Sequence, residues 1–214
     1  MALQTIELAI LDAGLDDPQW PAGFEDALQL LSRRRARGAR LVLSADDLEE
    51  WNWTTQAVTL SLAATARLLA ALPADEELSE GVRHLKSMYE QLGWGNPIAL
   101  RLQMRSFLVS LDGEALYGGV FLDAVSERLV AMPVLRANLV DGRAVLHVLP
   151  MHLPFLRVDP GVPEREITID DVAPEARQDW PIVRALAREA YSPEAVRLRG
   201  IVRDDRLLAA LRRA

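Results

Sequence analysis

Cysteine is absent from the 214 residues. That absence removes disulfides, thiol nucleophiles, thiolate metal ligands and iron–sulfur clusters from the chemistry open to the chain. Lysine is nearly absent as well, Lys86 being the only one among 24 basic residues. A bias so wide reads as genome composition, not as a set of separate arginine functions. With 31 acidic residues the net charge is −7, which argues against a protein whose whole surface tracks a phosphate backbone.

Motifs are missing too. Neither the dinucleotide fingerprint nor the P-loop spacing occurs; Gly93-Trp94-Gly95 and Gly118-Gly119 are fragments of such loops at most. There is no Gly-x-Ser-x-Gly elbow, and with three histidines a Ser-His-Asp arrangement would have to be assembled by the fold alone. The opening Met1–Glu7 carries no basic segment ahead of its apolar stretch, so no secretory or transit signal is read and the expected compartment is cytoplasmic. The weakly polar run 54–72 reaches spanning length but is built from Ala, Thr and Ser around Arg67. It reads as a buried helix, and a membrane is not an expected partner.

What the chain does contain is the composition of a globular protein, 50% hydrophobic and 26% charged. Ile6, Leu8 and Ile10 alternate with Glu7 and Ala9 as in a short strand. Phe24, Ala27, Leu28 and Leu31 follow at helical spacing, and that helix should stop near Gly38. Leu41 to Leu43 reads as a strand, and Ser44 with Asp47 as the capping box of a helix holding Leu48 to Trp51. Beyond the run 54–72 comes an amphipathic helix over 75–92, with Leu78, Val82, Leu85, Tyr89 and Leu92 on one face.

From Ile98 the period changes to two, Leu100, Leu102 and Met104 alternating with Arg101, Gln103 and Arg105. Asp112-Gly113 and Asp141-Gly142 are two-residue hairpin signals. The expectation is an antiparallel meander of about four strands at 98–111, 114–123, 128–140 and 143–149, with Pro133 marking an edge or a bulge. A proline-punctuated acidic connector follows, and then helices opening at Asp179-Trp180-Pro181, at Ser192-Pro193-Glu194 and near Asp204.

The fold class expected from this reading is α+β: N-terminal helices with one or two short strands, a central antiparallel meander with Asp-Gly hairpins, and C-terminal helices. The regions are 1–95, mainly helical; 96–158, the sheet; 159–178, the connector; and 179–214, helical, all in one compact domain. In outline this order resembles small acidic binding proteins such as secretion-chaperone-like folds, a likeness of architecture and not of residues.

Candidate sites follow from residue chemistry. Trp94, set between glycines, and Trp51 and Trp53, flanking Asn52, are the partner-binding candidates, because tryptophan is over-represented among interface hot spots. Arg33, Arg34, Arg35, Arg37 and Arg40 place five positive charges in eight residues and are the candidates for a phosphate or an acidic partner. Their place at a helix C-terminus is equally what the helix dipole favours. No metal and no cofactor are expected; His147, His152 and Asp159 are the residues that would carry a metal if one bound, although Pro150 interrupts their spacing. The paired carboxylates, among them Asp46-Asp47, Asp75-Glu76-Glu77 and Asp204-Asp205, fall at helix starts and read as caps.

The expected function is that of a non-enzymatic binding, assembly or chaperone-like accessory protein, acting as a homodimer or as a subunit of a complex. The alternatives are a nucleic-acid accessory protein using Arg33 to Arg40, whose affinity would collapse with salt, and a small metal-dependent hydrolase around His147 and His152, which would retain stoichiometric metal.

Overall fold

The computed structural model describes residues 5–14, 20–21, 23–91, 97–123, 126, 128–154, 156, 160–161, 168–172, 174, 177 and 180–212. Eight strands form one sheet: β1 (Ile6–Gly14), β2 (Leu41–Ser44), β3 (Leu48–Asn52), β4 (Ala57–Leu60), β5 (Arg105–Leu111), β6 (Glu114–Phe121), β7 (Val134–Val140) and β8 (Arg143–Leu149). Their order is β2-β1-β5-β6-β7-β8-β4-β3, and every pair is antiparallel except β6 with β7.

The edge strands β2 and β3 are consecutive in sequence, joined by a single 3-10 turn over Ala45–Asp47. Four chain steps span at most roughly 14 Å, whereas the edges of a flat eight-stranded sheet would lie about 33 Å apart. The sheet therefore curls into a nearly closed barrel. Its interior is filled by its own side chains, with Phe107 edge-on to Tyr117 (6.3 Å) and Phe121 (5.8 Å). A cavity of about 20 Å³ remains beside Ile6, Leu43, Trp51, Val109, Tyr117 and Leu146, room for one water molecule.

Alternation along β1 sets up two layers. Ile6, Leu8 and Ile10 face the barrel core, while Ala9 and Leu11 face outward and, with Leu108, pack under Leu31 of helix α1 (Phe24–Arg35). Gly118 lies beneath the same leucine, where a Cβ would come within 2.6 Å of Leu31 Cδ1. Helix α2 (Leu62–Ala70) is capped by the Ser61 hydroxyl, which accepts from Ala64 N at 3.2 Å. It buries Ala64, Thr65 and Leu68, and Thr65 Oγ1 accepts from Ala144 N at the start of β8. Thr65→Val keeps the shape and removes the acceptor, leaving a buried N–H unsatisfied at a cost of about 2 kcal/mol. Thr65→Ser should restore most of that in urea unfolding.

Helix α3 (Glu80–Gln91) and helix α4 (Pro97–Leu102) precede β5, and helices α5 (Trp180–Leu186), α6 (Pro193–Val202) and α7 (Asp205–Leu211) close the chain. Ser192, followed by Pro193 at the first helical position, caps α6; Asp204 caps α7. Arg203 donates to Thr54 O in the β3–β4 turn, and Arg206 pairs with Glu114 at the β5–β6 hairpin. The C-terminal helices are thus tied to hairpin tips of the barrel.

The expected helical N-terminus and four-strand meander are overturned. Four of the eight strands precede residue 62. The Ser44–Asp47 capping box exists, Ser44 N donating to Asp47 Oδ2 at 2.9 Å, but it closes one 3-10 turn and the chain then enters β3. The Glu49 and Glu50 carboxylates read as part of a helix instead belong to an edge strand, where charge blocks further pairing. The run 54–72 is divided at Ser61 into β4 and α2. Residues 98–102, whose alternation suggests a strand, form α4, and Met104 at φ 70° turns the chain into β5.

Both Asp-Gly pairs form tight hairpins, with positive φ at Asp112, Gly113, Asp141 and Gly142. Between them the meander fails: β7 is not hairpin-joined to β6 but pairs parallel to it through Val120↔Val134 and Phe121↔Leu135. Pro133 sits just ahead of β7, its carbonyl accepting from Val120 N at 3.2 Å. The likeness to secretion-chaperone-like folds rested on the meander and falls with it.

Candidate functional site

The fold first decides what the sequence candidates are free to do. Trp94 and Asp159 lie outside the described residues. Trp51 and Trp53 come together at 6.1 Å and pack, half-buried, against the barrel core. The arginine cluster is divided. Arg35 pairs with Glu7 at 3.2 Å, while Arg40 pairs with Asp12 at 2.5 Å and with Glu77, and donates to Ala71 O. Arg33 reaches Gln29 O at 3.4 Å, and Arg33 and Arg37 are exposed. Among the described residues Arg35 and Arg40 are thus already matched by carboxylates. Asp47, Glu77, Asp171 and Asp204 each accept from a backbone N–H at the start of a helical turn, which is capping work.

His147 and His152 meet around a residue that sequence reasoning passed over, Arg136. Strand register sets Arg136 directly beside His147 on the outer face of β7 and β8. Arg136 Nη2 lies 3.0 Å from His152 Nδ1, and His152 Nε2 lies 2.8 Å from Ser126 O. A guanidinium can only donate, so Nδ1 is the acceptor and the proton of His152 is on Nε2, donated to the Ser126 carbonyl. Both nitrogens of His152 are engaged, and a metal could take one only by breaking a hydrogen bond.

Burial, followed by the Arg136 charge, holds His147 below the ordinary imidazole range; His152 is lowered by burial first and by Arg136 as well, partly offset by Ser126 O and Asp123. Burial also lowers Arg136, with Asp123 opposing, and burial and Asp123 together raise Tyr89.

Acidification should act through this cluster. Histidines whose folded pKa lies below the unfolded value of 6.5 bind more protons when unfolded, so stability falls as pH drops below about 6.5. Protonated His152 can no longer accept from Arg136. Denaturant midpoints should decline between about pH 7 and about 5.5, and His147→Gln with His152→Gln should flatten that decline. The carboxylates that arginine partners and backbone hydrogen bonds hold low, Glu77, Glu194 and Asp204, act only at lower pH.

A second feature is apolar. Helix α3 is strongly amphipathic, yet among its residues only Tyr89 is buried. It is held by charge: Lys86 bridges Asp75 (3.2 Å) and Glu90 (2.9 Å), and Asp75 also pairs with Arg101 of α4 (2.7 Å). Leu85 and Met88 are left facing solvent. Helix α4 packs on β7, whose last residues Leu139 and Val140 are exposed, and Leu139 is in register with Ala144, the residue bonded to α2. Helix α2 itself exposes Leu62 and Leu69. These six side chains, each between 36% and 57% exposed, therefore sit on elements joined in one series, α3, α4, the β7–β8 tip and α2. Exposed apolar side chains on adjoining elements are candidates for an interaction site.

Among the described residues no helix is long and apolar enough to cross a membrane, and no group of three or more His, Asp or Glu is placed to hold a metal ion. No known protein family matches the chain, and no curated protein or solved structure is detectably similar to it.

Proposed function

We propose that this chain is a non-enzymatic binding or assembly protein that receives a partner protein on the apolar end formed by α2, α3, α4 and the β7–β8 tip. The observation that carries this reading is the helix α3, amphipathic in pattern but with Leu85 and Met88 exposed on its apolar side. A helix packed chiefly on one neighbour and presenting an apolar ridge suits insertion into an apolar groove on a second protein. The small cavity found in the barrel among the described residues, about 20 Å³, supports the same reading, because it has little room for a ligand. Against the nucleic-acid alternative stand the carboxylate partners of Arg35 and Arg40, and against the hydrolase stands the full hydrogen bonding of His152.

Native mass spectrometry of the untagged protein from its own host, alongside the double variant Leu85→Glu/Met88→Glu, tests the proposal. A stoichiometric complex in the wild type that is missing in the variant supports it. A complex present in both, or in neither, counts against it.

A further inference from the structure

We infer that Arg136 and His147 form a binding site for an oxyanion, a carboxylate or phosphate group carried by a small molecule, on the outer face of the β7–β8 ribbon. The site is distinct from the apolar end and rests on different observations.

The first is an arginine that no carboxylate of the described residues meets in an ion pair. Arg136 is half-buried, its Nε is buried with no hydrogen-bond partner, and its one side-chain hydrogen bond among the described residues runs to a neutral imidazole. Among the described residues no carboxylate lies within ion-pair distance of it. Guanidinium groups withdrawn from water are ordinarily matched by a carboxylate or phosphate, since an unpaired charge in such a place is costly. Asp123 is near enough to favour the charged form of Arg136. Nη2 is spent on His152 and Nε is not engaged, so part of the donor capacity remains, and forked N–H geometry is what recognises oxyanions best.

The second observation is that the guanidinium is held in place. His152 is buried, and it is fixed from behind by the Ser126 carbonyl, so its Nδ1 anchors Nη2 of Arg136 without adding charge. An anchored arginine loses less side-chain freedom on binding than a mobile one. The third is His147, which register sets beside Arg136 and whose half-buried imidazole makes no hydrogen bond among the described residues. Its ring can donate one bond when neutral and carry a second positive charge when protonated. The titratable groups around the site are Arg136, His147, His152 and Asp123, with Tyr89 beyond Asp123.

NMR of the imidazole signals in the full chain tests the inference, with inorganic phosphate in one titration, acetate in a second and chloride at matched ionic strength as the control. The expected result is a saturable shift of the His147 ring in phosphate, in acetate or in both, absent in chloride, with His147 titrating at higher pH when the anion is bound. Saturation by phosphate alone assigns a phosphate ligand, and by acetate alone a carboxylate. Arg136→Gln should abolish saturation, and His147→Gln should weaken binding, followed at His152, by about 10-fold, as loss of a hydrogen bond to a charged group implies. His147 is half-buried on an outward face, so its variant keeps the test alive if Arg136→Gln does not fold. Shifts equal to those in chloride, or saturation that survives both substitutions, would overturn the inference.

Discussion

Replacing Gly119 with alanine is expected to destabilise the protein by at least about 3 kcal/mol, in the range reserved for overpacking that the backbone cannot absorb. A Cβ at Gly119 would fall 1.7 Å from the carbonyl oxygen of Pro133 and 3.2 Å from the Phe107 ring. The obstructing atom is backbone, and it is engaged: Pro133 O accepts from Val120 N. This is where the chain, having crossed over from β6, lies down parallel to it, so the extra methyl group strikes the junction joining the two antiparallel parts of the sheet. Gly81, in the first turn of α3, has nothing within 4 Å of the same added atom. Gly81→Ala should therefore stabilise by about 0.5 to 1 kcal/mol through helix propensity. Urea midpoints of the two variants should move in opposite directions; a Gly119→Ala midpoint near wild type would mean that β6 and β7 are not so closely joined.

The second large effect separates assembly from stability. Leu85→Glu/Met88→Glu is expected to cost no more than about 1 to 2 kcal/mol in unfolding, because each side chain is partly exposed, at 36% and 38%. In the complex the two introduced carboxylates would be buried against an apolar groove. Removing an apolar side chain from the centre of an interface costs roughly 1 to 2 kcal/mol and a stranded charge adds to that, so the partner's affinity should fall by about 100-fold or more. A variant that stays folded yet fails to assemble is a pattern that a purely structural role for α3 cannot produce.

How much of this could be read from residues alone depended on how local the determining physics is. The strand β1, the helix α1, the Asp-Gly hairpins and the Ser192 and Asp204 caps are each set by a few neighbouring residues, and each is visible in the sequence. The segment Leu48–Trp51 was misleading because a capping box reports only how a turn begins, and Ser44–Asp47 begins a turn that ends at once. Pro97–Leu102 misled in another way, since its six residues are too few to separate a period of two from one of about 3.6.

The parallel joining of β6 to β7 has no local signal at all. It follows from the crossover and from the close approach that Gly119 permits, and the Gly118-Gly119 pair was its one trace. For the sites, the sequence pointed to His147 and His152 by chemistry but could not show that Arg136 stands with them, because a cross-strand register fixes that. The apolar stripe of α3 is plain in sequence, but amphipathicity looks the same whether the stripe is covered by the same chain or left exposed.

The measurement that bears most directly on the proposed role is hydrogen–deuterium exchange on the complex isolated from the native host, compared with the protein alone. Slowed exchange confined to 62–70, 80–91, 97–102 and the 139–143 tip is the result expected of a partner seated on the apolar end. Protection centred on 33–40, or none on α3, would contradict it.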